Sequence, residues 1–110
     1  MELDVRLDKD SLAIPITNPF QLDMDAIEGR IMSFLAERGQ SGNGLDLRGL
    51  LPRMVRGIAG CEAGCPSDAL GVVRRGDRKF KLEYIEGGIM TATTQVESGS
   101  TLSIKLFPDF

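Results

Sequence analysis

The chain has 110 residues, of which 42% are apolar and 26% charged, and its net charge is −3. That length reads as one domain spanning 1–110, able to bury roughly two-thirds of its unfolded surface. Net acidity argues against non-specific nucleic-acid binding. No apolar run approaches the ~18 residues of a membrane span. With no histidine in the sequence, imidazole-based triads, histidine-containing zinc sites and haem attachment through Cys-x2-Cys-His are all excluded. No basic-then-apolar leader opens the chain. The expectation is therefore a cytoplasmic protein, away from membranes, whose thiols rest reduced.

Leu3, Val5 and Leu7 alternate with charged residues and predict a strand; Leu12, Ile14 and Ile16 predict a second. A four-residue turn over Asp8-Lys9-Asp10-Ser11 would pair Leu7 with Leu12, Val5 with Ile14 and Leu3 with Ile16. Pro15 lacks a backbone donor and places the second strand at a sheet edge.

From Asp25 to Arg38 the period becomes helical, with Met24, Ile27, Ile31, Phe34 and Leu35 on one stripe and Gly39 at the stop. Asp25 and Glu28 have the spacing of a capping box. Asp23, Asp25 and Glu28 also form an acidic group, for which capping is a simpler account than a hard metal. Gly39 to Gly44 is glycine-rich but lacks the order of a phosphate loop, and reads as a linker. Leu47, Leu50, Leu51, Met54, Val55 and Ile58 form a second apolar stripe with Asp46 as N-cap. Pro52 falls inside it, so this helix either kinks there or begins there.

Gly60-Cys61-Glu62-Ala63-Gly64-Cys65-Pro66 follows and holds both cysteines. Pro66 to Arg75 is expected as a short helix, with Pro66 at its first position, Asp68 in its first turn and Gly76 as its stop. Cys65 would then be the N-cap, where orphan N–H groups favour a thiolate, with Cys61 as resolving thiol. Cys61-x3-Cys65-Pro66 resembles the tail of the bacterial ferredoxin run. The resemblance covers about ten residues, and the two upstream cysteines of a four-thiolate cluster are missing. It implies iron–sulfur or metal binding by Cys61 and Cys65 only if thiolates are shared across a dimer or with a partner. A mononuclear metal would need Glu62 or Asp68 besides the two thiolates, an uncommon set for zinc. The plainer expectation is that the pair is structural and that no cofactor is bound.

Charge is divided along the sequence: −4 over residues 1–45, +4 over 46–81 and −3 over 82–110. The basic middle contains Arg48, Arg53, Arg56, Arg74, Arg75, Arg78, Lys79 and Lys81 around the cysteines, and reads first as the solvated face of two helices.

In the last third, Phe80, Leu82 and Tyr84 share a parity, as do Met90, Ala92, Thr94 and Val96, and Leu102, Ile104 and Leu106. A three-residue loop over Glu86-Gly87-Gly88, with Gly88 left-handed, pairs Tyr84 with Met90 and Leu82 with Ala92. A second loop over Ser98-Gly99-Ser100 would pair Val96 with Leu102. The opposite face is Lys, Glu and Thr, interrupted by Ile85, Ile89 and Phe107, a small patch for contact with another subunit.

Strands, then helices, then strands give an α+β fold: an antiparallel sheet of about five strands, built from an N-terminal hairpin and a C-terminal three-stranded meander. Two main helices and one short helix cover one face. The functional expectation is a non-catalytic accessory or interaction domain with a Cys-x3-Cys-Pro thiol pair, working through a protein partner or self-association. The alternatives are a thiol–disulfide redox module using Cys65 and Cys61, and a shared metal or iron–sulfur site. The lack of a convergent catalytic set leans against an enzyme.

Overall fold

The computed structural model describes residues 1–18, 21–42, 45–61, 71–75, 78–85, 88–96 and 99–107, leaving aside the side chains of 59–61, 71–75, 78 and 85. Its elements run β1 (Glu2–Leu7), β2 (Asp10–Pro15), α1 (Met24–Ala36), α2 (Leu47–Cys61), β3 (Gly71–Arg75), β4 (Arg78–Ile85), β5 (Ile89–Gln95) and β6 (Thr101–Phe107). The fold is α+β. The strands form one sheet in the order β2-β1-β6-β5-β4-β3, and every neighbouring pair is antiparallel. β1 pairs with β6, so the N-terminal hairpin continues the C-terminal meander as a single sheet.

Alternation places most apolar residues of β1, β2, β4, β5 and β6 on one side. Leu3, Val5, Leu7, Ile14, Phe80, Leu82, Met90, Ala92, Leu102, Ile104 and Leu106 are all buried there. They share a core with Ile27, Ile31, Phe34 and Leu35 of α1 and Leu47, Leu50, Leu51, Met54, Val55 and Ile58 of α2. Each of the larger side chains among these contributes on the order of 1.5–3 kcal/mol by leaving water, and Ala92 less. Both helical stripes are those expected from the 3.6-residue period.

Two hairpin registers differ from expectation by two residues. In the first, Leu7 pairs with Asp10, Val5 with Leu12 and Leu3 with Ile14, so the turn is the two residues Asp8-Lys9. Asp8 takes a left-handed φ of 54°, which Asp tolerates better than most residues. A shift of two keeps every side chain on its face, so parity could not reveal the difference. In the last hairpin, Thr94 pairs with Leu102 and Gln95 with Thr101, and the Val96 N–H donates to the Ser100 carbonyl at 3.0 Å. Gly99 has φ 83°, just as Gly88 has φ 91°. Both loops thus place glycine at the third, left-handed position. The register over β4 and β5, Tyr84 with Met90 and Leu82 with Ala92, is the expected one.

The third correction concerns residues 71–75. The expected short helix over Pro66–Arg75 does not form there, because Gly71–Arg75 is strand β3, paired with β4 from Gly71–Leu82 to Arg75–Arg78. Val72 and Val73 favour a pleated strand, and β4 would otherwise be an unpaired edge. The sheet therefore has six strands where about five were expected.

Helix ends follow capping chemistry. The Asp23 carboxylate accepts from the Ala26 N–H at 3.3 Å, so Asp23 is the cap and the proposed Asp25–Glu28 box is not used. At the other end Gly39, with φ 70°, donates to Ala36 while Gln40 donates to Leu35, a paired closure of the last turn. Asp46 caps α2 as expected, accepting from the Gly49 N–H at 3.1 Å. Pro52 lies inside α2, which runs through it from Leu47.

Candidate functional site

Cys61 is the last residue of α2. Cys65, Glu62, Asp68 and Pro66 lie outside the described residues, as do Gly76 and the Phe110 tail. The structure therefore does not bring Cys61 and Cys65 into a described geometry. The ten-residue helix that would have given Cys65 a full N-terminal dipole is replaced, over its second half, by β3.

The acidic group near α1 resolves into separate tasks. Asp23 caps the helix, while Asp25 and Glu28 hold Arg48 of α2. Arg48 Nη2 donates to Asp25 Oδ1, and its Nε lies 3.5 Å from Glu28 Oε2. The Asp25 hydrogen bond, followed by the field of Glu28, holds the Arg48 guanidinium above its ordinary range. These pairs tie the two helices at their exposed edges. Among the described residues, no group of three or more Cys, Asp or Glu side chains is placed to hold a metal ion.

The basic residues of the middle whose side chains are described do not make a single patch. Arg48, Arg53 and Arg56 belong to α2, in the helical layer, whereas Lys79 and Lys81 are exposed on β4 at positions alternate to core residues Phe80 and Leu82. They project from opposite faces of the sheet.

Among the described residues, two concavities border α1. A cleft of about 250 Å³ is lined by Ile14, Ile16, Leu22, Asp23, Ile27 and Arg30 among others. Asp23 is engaged in capping, and Arg30 Nη2 lies 3.5 Å from the Ala13 carbonyl on edge strand β2. A wider open groove runs beside Ser11, Ser33, Phe34 and Arg38. Arg30 over Ala13, together with the donorless Pro15, blunts the β2 edge against further strand pairing.

Opposite both helices lies the outer face of the sheet. Cross-strand pairing places Asp4, Lys105, Thr91 and Glu83 in one row, and Arg6, Ser103, Thr93 and Lys81 in the next. Within the chain, Arg6 Nε is 3.4 Å from Asp4 Oδ2 and Lys81 Nζ is 3.6 Å from Glu83 Oε1. Near the end of the face, Ile89 and Phe107 are half-buried, Ile89 pairs with Ile85, and Phe107 pairs with Glu2. Thr91, at the centre, is only 7% exposed, and its Oγ1 has no hydrogen-bond partner among the described residues.

This face was legible as polar from alternation alone. Its row order was not, because row order depends on how four strands align, two of them from opposite ends of the chain.

Comparison with protein families, curated proteins and solved structures found no match for the chain. No helix among the described residues is long and apolar enough to cross a membrane.

Proposed function

We propose that the chain is a non-catalytic interaction domain that works through the outer face of its sheet. The observation that supports this is the one-sided placement of the helices: the apolar parity of β1, β2, β4, β5 and β6 shares a core with α1 and α2, whereas the described side chains of the opposite parity are exposed or half-buried, Thr91 excepted. A sheet with one covered and one solvated face is a common antiparallel arrangement. What suits this one to contact is its charge layout, with opposed acids and bases along both flanks.

Affinity capture from the host tests this, using wild type, Thr93→Arg on the outer face and Arg56→Glu on the helical layer. An identified partner lost with Thr93→Arg and retained with Arg56→Glu supports the reading. A partner lost only with Arg56→Glu moves the working surface to the helices.

The thiol pair enters as a second proposal, resting on the Cys61-x3-Cys65-Pro66 spacing. A redox pair, a shared metal site and two structural thiols differ in mass. Native mass spectrometry of protein purified anaerobically from its own host separates loss of two hydrogens, bound metal or sulfide, and unmodified sequence mass.

A further inference from the structure

We infer that the occupant of the outer sheet face is a second copy of this chain, related by a two-fold axis that crosses the strands between two charge rows. This rests on the reading that the open face is the working surface, and it names the partner.

The argument is one of self-complementarity. The first row carries acids at both flanks, Asp4 on β1 and Glu83 on β4; the second carries bases at the same flanks, Arg6 and Lys81. A two-fold axis lying in the interface, perpendicular to the strands and between these rows, sets each row against the other row of the mate. Asp4 then faces Arg6 of the second copy and Glu83 faces its Lys81, twice each by symmetry. Each intrachain pair, Asp4–Arg6 and Glu83–Lys81, is met by its own inverted copy, making a ring of four alternating charges at either flank. Between the rings, the positions of Thr91 and Thr93 oppose each other, as do those of Lys105 and Ser103, with Thr91 already buried within its own chain. Face-to-face sheets pack ~10 Å apart.

Such an interface is isologous, the form taken by most homodimers. Six strands spaced ~4.8 Å apart and six residues rising ~3.3 Å each outline a face of roughly 29 by 20 Å. Side-chain relief raises its accessible area toward the ~800 Å² per partner of a standard interface. Two other symmetric arrangements fare worse. An axis parallel to the strands would set Asp4 against Glu83, two like charges. Pairing of β2 edges is opposed by Pro15, which lacks a donor, and by Arg30 lying over Ala13.

The test uses two full-length variants and sedimentation analysis. In the first, Asp4→Arg with Glu83→Lys makes both rows basic. In the second, Arg6→Asp with Lys81→Glu makes both rows acidic. Arg6, Lys81 and Glu83 are more than half exposed, whereas the Asp4 side chain is only 14% exposed; circular dichroism of each variant checks that the fold is kept. Wild type is expected to be a dimer that weakens with salt. Each variant alone should lose at least ~tenfold in dimer affinity, because four attractive contacts become repulsive. An equimolar mixture should recover a heterodimer. The inference is overturned if wild type is monomeric at about 100 µM, a concentration that would populate any dimer of micromolar affinity. It is equally overturned if either variant dimerises as wild type does, or if the mixture stays monomeric. A monomeric wild type that still loses an identified partner on Thr93→Arg would sink the dimer while leaving the interaction reading in place.

Discussion

The guanidinium carbon of Arg38 lies 3.8 Å above the centre of the Phe34 ring. The same side chain donates from Nη1 to the Phe34 carbonyl at 2.8 Å and from Nε to Asp10 at 2.9 Å. One arginine thus closes the end of α1, covers a buried aromatic and reaches the first residue of β2. Arg38→Ala should lower stability by about 1–2 kcal/mol, combining a modest cation–π contact with partly exposed polar contacts. Arg38→Lys should restore less than half, because an ammonium lacks the flat fork that serves stacking and hydrogen bonding together. Denaturant midpoints with an Asp10→Ala double-mutant cycle measure both.

Gly99 offers a clean test of backbone conformation. Its φ is 83°, and a Cβ there would meet nothing within 4 Å. Gly99→Ala therefore carries a penalty of conformation alone, of about 1–2 kcal/mol, while Gly99→Asn should cost less. Equal effects of Ala and Asn on thermal unfolding would contradict this assignment of the loop.

The turns also show what the sequence could and could not specify. Hydrophobic parity identified five of the six strands, both helical stripes and the edge position of β2, since period and proline chemistry are local. It left registers open to shifts of two, because such shifts conserve the buried face. Turn chemistry decided them: Asp8 accepts a left-handed φ and Gly99 takes the third loop position. Residues 71–75 were misread as helix because Pro66, Asp68 and Gly76 are as consistent with helix punctuation as with turns. Long-range pairing with β4 decided that case. The outer-face charge rows needed β1 and β6 side by side, a contact between the two ends of the chain that no local pattern carries.

Pro52 removes one donor from the middle of α2, and its ring crowds the preceding turn. Burial of Leu50, Leu51, Met54 and Val55 around it holds the helix continuous. Pro52→Ala should raise stability by about 1–3 kcal/mol, less than or equal to the full helix-interior penalty of proline. A fall in the melting temperature would show that the proline sets a bend the core requires.

Gly57 of α2 faces Met90 of β5 so closely that a Cβ on residue 57 would lie 2.7 Å from the Met90 methyl group. Gly57→Ala asks only a flexible side chain to move and should change stability by less than ~1 kcal/mol. Gly57→Leu should cost about 1–3 kcal/mol by separating α2 from the sheet. Equal stabilities of the two variants in urea would indicate that α2 does not pack at this distance.

The central claim is that the outer face of the sheet is the working surface and that a second copy occupies it. Amide resonances followed through a dilution series test it most directly. The claim predicts concentration-dependent shifts centred on Asp4, Arg6, Lys81, Glu83, Thr91, Thr93, Ser103 and Lys105, with α1 and α2 unchanged. Shifts confined to the helices or to the β2 edge, or spectra invariant with concentration, would contradict it.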